Sequence, residues 1–207
     1  MLPELVNLSE AGVSVLDCEH KTPTAQGSGY AYVAIPDIVE GRVNLESARK
    51  ISEADYREWT RRTKPKGGDV LVTRRGRVGD TAPIPPGIDC AIGQNLVLLR
   101  ADGTRIDPGY LRWAVRSPQW WSEIDRLRNV GAVFSSLNVR DVPRIRIPVF
   151  PISEQVAIAA TLDSLDNKVA ANARVVAAAD ATSRGQFVLF REAGVSQPLS
   201  SVANFVN

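Results

Sequence analysis

The sequence has one histidine, His20, two cysteines, Cys18 and Cys90, and only five lysines against twenty arginines among its 207 residues. These thiols and the single imidazole do not supply the three or four closely spaced ligands of a zinc site, so no metal is expected. Hydrolase chemistry through a histidine base would rest on His20 alone, whose simpler role is a structural or phosphate hydrogen bond. No apolar run approaches the roughly 18 residues of a membrane span, and the opening Met-Leu-Pro-Glu-Leu-Val-Asn lacks a signal peptide's basic and apolar stretches. A cytoplasmic chain with no membrane contact is the expectation, its cysteines buried as free thiols. P-loop, Rossmann and Gly-x-Ser-x-Gly signatures are missing. Pro36-Asp37 has no nuclease Glu-x-Lys after it, and Ile84-Pro-Pro-Gly87 is not the Asp/Asn-Pro-Pro-aromatic loop of adenine methyltransferases. No catalytic residue is therefore expected.

What is present is a chain of ordinary globular make-up, 44% hydrophobic and 23% charged. Its first 150 residues read as β-rich mixed structure. Residues 30–35 form a strand between Gly29 and Pro36, continued over 38–44 through a turn at Glu40-Gly41. Residues 52–62 form a short helix with Ser52 as N-cap and Glu53 and Asp55 in the first turn. Lys66-Gly-Gly-Asp69 is a turn, followed by a β-branched strand over 70–73. Residues 91–100 form a further strand, 108–117 and 118–128 two helices opened by proline, and Ile145 and Ile147 alternate in a last strand ending at Pro148.

The composition changes after Pro151. From 153 to 190 there is no proline, one glycine and much alanine, which predicts a helix roughly 55 Å long, with Ser153 as N-cap and Gly185 kinking or ending it. Its apolar residues form two rows, Leu162, Val169 and Val176, and Ile158, Leu165, Asn172 and Ala179. Spacings of four and three are those of a coiled-coil seam, on which Asn172 would fix register. Such a seam implies a second helix, from another chain or from sequence not present. Altogether the fold class is α+β, a mixed β-rich domain and then a long coiled-coil-type helix.

Charge concentrates in one place. Between Arg57 and Arg77 stand eight basic and two acidic residues. Arg61, Arg62, Lys64 and Lys66 form one group, and Arg74, Arg75 and Arg77, around Gly76 and Gly79, the other. Glycines let a backbone approach phosphate closely, and arginine supplies forked donors for phosphate or guanine. A solvated basic turn in an arginine-rich proteome gives the same pattern. Gly76-Arg-Val-Gly79 also has the spacing of a KH loop, but that loop joins two helices and here a strand precedes it.

Five stretches in order resemble the specificity (S) subunit of type I restriction-modification systems. His20-Lys-Thr-Pro23 is similar to that family's early His-x-x-Pro. Residues 30–35 with Asp37-Ile38 and Gly41 resemble its first strand and turn. Gly68-Asp-Val-Leu with Gly76-x-x-Gly79 resembles its Gly-Asp-Ile-Leu…Gly-x-x-Gly hallmark. Residues 131–137 and 142–148 resemble the segment closing its domain, and Pro151-Ile-Ser-Glu154-Gln155 with Ile158, Leu162 and Leu165 the opening of its conserved helix.

The resemblance implies a non-catalytic target recognition domain over 1–150 that reads one half of a split double-stranded DNA site. A conserved helix over 151–190 would set spacing and dock an adenine methyltransferase (M) subunit, and a restriction (R) subunit would complete the assembly. The chain itself would need no cofactor; S-adenosylmethionine would belong to the methyltransferase, which flips an adenine for methylation. Lys21, Arg61, Arg62, Lys64, Lys66, Thr73, Arg74, Arg75 and Arg77 are the expected DNA contacts. Gln155, Ile158, Leu162, Leu165, Val169, Asn172 and Val176 are the expected helix contacts. S subunits carry two recognition domains, whereas this chain has one, with a stub over 191–207 that resembles the start of another. A half-subunit or fragment acting as a homodimer, or with a second S chain, is therefore expected. The rival expectation is a helix-mediated decoy that occupies the methyltransferase without reading DNA.

Overall fold

The computed structural model describes residues 2–19, 21–130 and 135–194, omitting the side chains of 189, 190, 192 and 193. The readings placed on His20, on 131–134 and on 195–207 lie outside the described residues. Strands are β1 (Glu4–Asn7), β2 (Val13–Asp17), β3 (Tyr30–Val33), β4 (Ile38–Val39), β5 (Arg42–Val43) and β6 (Arg49–Ile51), and then, after helix α1 (Glu53–Trp59), β7 (Val70–Thr73), β8 (Thr81–Pro83), β9 (Cys90–Ile92) and β10 (Leu96–Ala101). Helices α2 (Pro108–Ala114) and α3 (Pro118–Leu127) follow, then β11 (Asn129–Val130), β12 (Ser135–Ser136), β13 (Arg146–Val149) and α4 (Ile152–Ala193).

The apolar runs of β7 and β10 are explained by burial on both faces. They are central in an antiparallel sheet of order β2-β10-β7-β8. Val97 pairs with Val72 and Leu99 with Val70, while Leu98 pairs with Leu71. Because successive side chains alternate, Val70, Val72, Val97 and Leu99 join one core with Leu111, Trp120 and Ile124 of α2 and α3. Leu71, Leu96 and Leu98 join a second core with Val33, Ile38, Ala82 and Ile92. This second core lies under a three-stranded sheet of order β6-β3-β9. On the first side β1 pairs antiparallel with β13, from Glu4–Val149 to Asn7–Arg146.

Local chemistry sets the helix ends. The Ser52 hydroxyl accepts the Asp55 amide at 3.0 Å, Asp107 the Tyr110 amide at 2.9 Å, and Ser117 the Trp120 amide at 3.2 Å. Pro108 and Pro118 occupy the first helical positions, where a missing N–H costs nothing. The Glu40-Gly41 turn joins β4 to β5 with positive φ at both residues, 49° and 72°, as a two-residue hairpin requires.

Four expectations change. Helix α1 ends at Trp59, where the Thr60 hydroxyl and amide both turn back to the Tyr56 carbonyl at 2.7 and 3.0 Å. The single strand expected over 91–100 is two strands in different sheets, with Gly93, Gln94 and Asn95 crossing between them. Ser153 is not an N-cap, because Glu154 and Gln155 already donate to the Pro151 carbonyl at 2.9 and 3.0 Å. Gly185 does not end α4, which runs to Ala193; one glycine costs about 1 kcal/mol against alanine, too little to stop an alanine-rich helix.

Two compact units are present, residues 1–160 and 161–207. The first turns of α4 belong to the former. Gln155 is fully buried there: its amide carbonyl accepts the Asp107 N–H at 2.8 Å, and its NH2 donates to the Arg105 and Phe150 carbonyls at 2.9 and 2.7 Å. The described part of the second unit is helix, with Leu165, Val169 and Val176 all exposed. No described helix is long and apolar enough to cross a membrane.

Candidate nucleic-acid interface

The β7–β8 connection carries the second arginine group. Thr73 is fully buried, and its amide donates to the Asp80 carbonyl at 2.9 Å while the Gly79 amide donates back to Thr73 at 3.0 Å. The Thr73 hydroxyl also donates to the Arg77 carbonyl. Thr73 thus closes the neck of the loop and offers no surface for contact. Gly79, with φ 91°, sits where a Cβ would fall 2.9 Å from Ile124 and 3.1 Å from Trp121. Trp120 of α3 donates through Nε1 to the Gly79 carbonyl at 2.9 Å. The second glycine of the hallmark is therefore a packing requirement.

The three arginines have separate surroundings. Arg74 is half-buried; its backbone amide donates to the Asn95 carbonyl at 2.8 Å, and its guanidinium to the Gln94 carbonyl at 3.0 Å. Its Nε is buried without a hydrogen bond. Arg77 donates to the carbonyls of Ile35 and Ile38 at 2.7 and 2.6 Å and pairs with Asp80 at 3.3 Å. Arg75 is exposed beside Gly76, whose φ is 67°, and its backbone bridges to Ser136. Among the described residues its side chain has no hydrogen bond or ion pair.

The first basic group is largely partnered. Arg61 lies 3.7 Å from Glu19 and 3.6 Å from Glu58, and Arg62 lies 3.1 Å from Glu19. Lys64 pairs with Asp89 at 2.8 Å. The hydrogen bond to Asp89 comes first in raising the lysine, and the bond from Lys64 first in lowering the carboxyl. Lys21 and Lys66 are exposed, and neither ammonium has a partner among the described residues.

The Gly-Asp of the hallmark is also structural. Asp69 is buried, accepts the Lys66 amide at 2.8 Å, and receives Nε and NH2 of Arg100 at 2.7 and 2.6 Å. Gly68 has φ 90°, and a Cβ on Gly67 would fall 2.8 Å from Pro86 Cα. The segment fixes where β7 starts and so where its loop emerges.

Both cysteines are buried free thiols. Burial pushes Cys18 up to about 12 and Cys90 up to about 11. No group of three or more His, Cys, Asp or Glu among the described residues could hold a metal ion.

Gln94 and Asn95, which no sequence motif marks, interrupt an apolar run, and the change of sheet at that point sets them beside Arg74.

Residues 19–177 match the family described as the type I restriction modification DNA specificity domain. A curated relative from Methanocaldococcus jannaschii, described as the MjaX specificity subunit of a type I restriction enzyme, is 29% identical over 101 residues, or 49% of this chain and 23% of that protein. The fold is similar to that of the HsdS subunit from Thermoanaerobacter tengcongensis, with TM-score 0.57 at 21% identity over 83% of this chain and 39% of that one. It is also similar to the type I S subunit from M. genitalium, with TM-score 0.58 at 18% identity over 81% of this chain and 42% of that one. A chain from a type I R-M system, studied for complex assembly and conformational transition, gives TM-score 0.59 at 22% identity over 88% of this chain and 43% of that one. The chain spans less than half the length of each. With the match covering most of its length, the chain belongs to the family of type I restriction-modification DNA specificity domains, whose subunits specify and do not catalyse.

Proposed function

We propose that residues 1–150 form a target recognition domain that reads one half of a split double-stranded DNA site. The observation that carries this reading is Arg75, an exposed guanidinium without a partner among the described residues, on a glycine turn whose neck and flanks are fixed by Thr73, Arg74, Arg77 and Trp120. A rigid loop presenting one free forked donor suits bidentate contact to guanine or phosphate. Lys21 and Lys66 supply phosphate contacts. Arg61, Arg62 and Lys64 join them only by exchanging carboxylates for phosphates. Thr73, Arg74 and Arg77 shape the loop and do not touch DNA.

The helix segment 151–190 serves assembly. Gln155 and Ile158 anchor its start in the recognition domain's core. Leu162, Leu165, Val169, Asn172 and Val176 pair with the helix of a second copy or of another S chain and dock the adenine methyltransferase, with its S-adenosylmethionine. The restriction subunit completes the complex. Two copies would supply two recognition domains and read a palindromic split site.

The test is a map of N6-methyladenine in cells carrying the partner methyltransferase, with and without this chain. A new palindromic split motif is the expected result. No new methylation despite a stable complex would overturn the reading in favour of a decoy.

A further inference from the structure

Behind the basic loop lies a pocket of about 500 Å³, one wall formed by residues 93–96 and another by 34–37, with Tyr32 and Arg49 between them. The two arginines that are committed to backbone carbonyls brace its walls. Arg74 holds the Gln94 and Asn95 carbonyls, and Arg77 holds the Ile35 carbonyl. Further bonds fix the 93–96 turn: Gly93 donates to the Val33 carbonyl at 2.8 Å and Leu96 to the Gly93 carbonyl at 2.9 Å. Gly93 admits no side chain without crowding the Tyr32 hydroxyl and the Val33 carbonyl, each 3.2 Å from a Cβ placed there.

Neither the Gln94 nor the Asn95 side-chain amide makes a hydrogen bond to any described residue. Both are half-buried and line the pocket. We infer that Gln94 and Asn95 are specificity-determining residues that read the edge of an adenine-bearing base pair, a contact that rests on the DNA-reading function proposed above.

The chemistry favours a base edge over phosphate. Carboxylate Asp37 also lines the pocket, its oxygens taken by the Ala34 amide at 2.8 Å and the Ser47 hydroxyl at 3.1 Å. It offsets the charge of Arg49, which already donates to the Pro23 carbonyl at 3.3 Å. With one acid and one committed base as its charged lining residues, the pocket surface is balanced in charge. An amide supplies one donor and one acceptor side by side, which matches N7 and the N6 amino group of adenine, whereas guanine offers two acceptors there. Arg75 and the amide turn would then divide the work, the fork for guanine or phosphate and the amides for adenine.

The experiment is selection of duplexes from a randomised DNA library by the purified full chain at low salt, followed by sequencing. Wild type is expected to enrich a word containing an adenine. Gln94→Ala or Asn95→Ala should lower the preference for one adenine about ten-fold and leave the other positions unchanged. The isosteric Gln94→Glu and Asn95→Asp guard against misfolding, since each keeps the turn's shape. At the position it reads, the carboxylate should exchange adenine for cytosine, whose N4 amino group donates to it. Variants that return the wild-type word, or lose every position equally, overturn the inference and leave DNA reading intact. A wild type that enriches nothing overturns the DNA reading and the inference with it.

Discussion

Arg77 donates from NH2 to the carbonyl of Ile38 across 2.6 Å, tying the basic loop to a segment 39 residues earlier in the chain. That bond, with those to Ile35 and Asp80, separates a bracing arginine from a presenting one two residues away. Arg77→Ala should therefore lower stability by about 1–2 kcal/mol, since charged hydrogen bonds are lost from a half-exposed side chain, and should leave base preference in place. Arg75→Ala should do the reverse, with unchanged urea midpoint and a loss of about 1–3 kcal/mol in binding to a selected duplex. Equal effects of the two on binding would contradict this division.

Arg100 and Asp69 give a prediction about folding. The carboxylate is 3% exposed and the guanidinium side chain 30%. Removing the arginine leaves a buried charge with only the Lys66 amide. Arg100→Ala should cost about 2–4 kcal/mol, part of the full penalty being relieved by water at the exposed end. The double variant Asp69→Asn, Arg100→Ala should recover some of that loss. Urea denaturation of the four proteins forms the cycle, and additive losses would show the pair to be uncoupled.

Lysines report on the phosphate backbone by a different signature. Lys21 and Lys66 are exposed and have no partner among the described residues, so replacing either by alanine should weaken all duplexes alike and reduce the slope of log affinity against log salt by roughly one contact. Lys64 is already neutralised by Asp89. Its replacement should change that slope less than Lys66→Ala does. Binding measured across a salt series settles the order.

Much of this was legible in the sequence, for local reasons. Ser52, Pro108 and Pro118 mark helix starts because their effects act within one turn. Glu40-Gly41 marks a hairpin because few residues tolerate positive φ. The basic stretch 57–77 was visible as charge, but sequence cannot say which cation is spent. Arg77 meets Ile38, Arg62 meets Glu19 and Lys64 meets Asp89 through tertiary folding, so a cluster that looks uniform leaves Arg75 as its one arginine without a partner among the described residues. The strand over 91–100 was misread for a related reason: residues 90–92 and 96–101 are both apolar, and nothing local reveals that they enter different sheets. Strands β1 and β2 were missed because each is short and only partly buried, so their alternation is faint.

Glu123 carries a pH prediction. It is 2% exposed, with Arg146 at 2.6 Å and Arg126 at 2.7 Å. Burial would raise its carboxyl, but the bonds from Arg126 and Arg146 outweigh burial and hold it below its ordinary 4.5. A carboxyl depressed in the folded state stabilises at pH above its unfolded value, and that stabilisation fades as pH falls through the folded one. Glu123→Gln should therefore be less stable than wild type at neutral pH, with the gap narrowing below about pH 4.5. Urea midpoints of both proteins from pH 7 to about pH 3 test it; a constant gap would mean that the carboxyl is not held ionised by its arginines.

The exposed row on α4 gives the last prediction. Leu165, Val169 and Val176 are 56%, 67% and 68% exposed, and large apolar side chains at the four- and seven-residue spacings of a coiled-coil seam are stabilised when a second helix covers them. Leu165→Glu with Val169→Lys should convert a dimer to a monomer in sedimentation velocity. It should leave the recognition domain's melting temperature unchanged, because both sites lie beyond the unit that ends at residue 160. Gln155→Ala acts at the other end of the same helix and should do the opposite. Three hydrogen bonds of a buried side chain would be lost, the domain would lose about 2–4 kcal/mol, and the association constant of the folded chain would stay as it was. A dimer that survives the Leu165 and Val169 substitutions would place the contact on another surface.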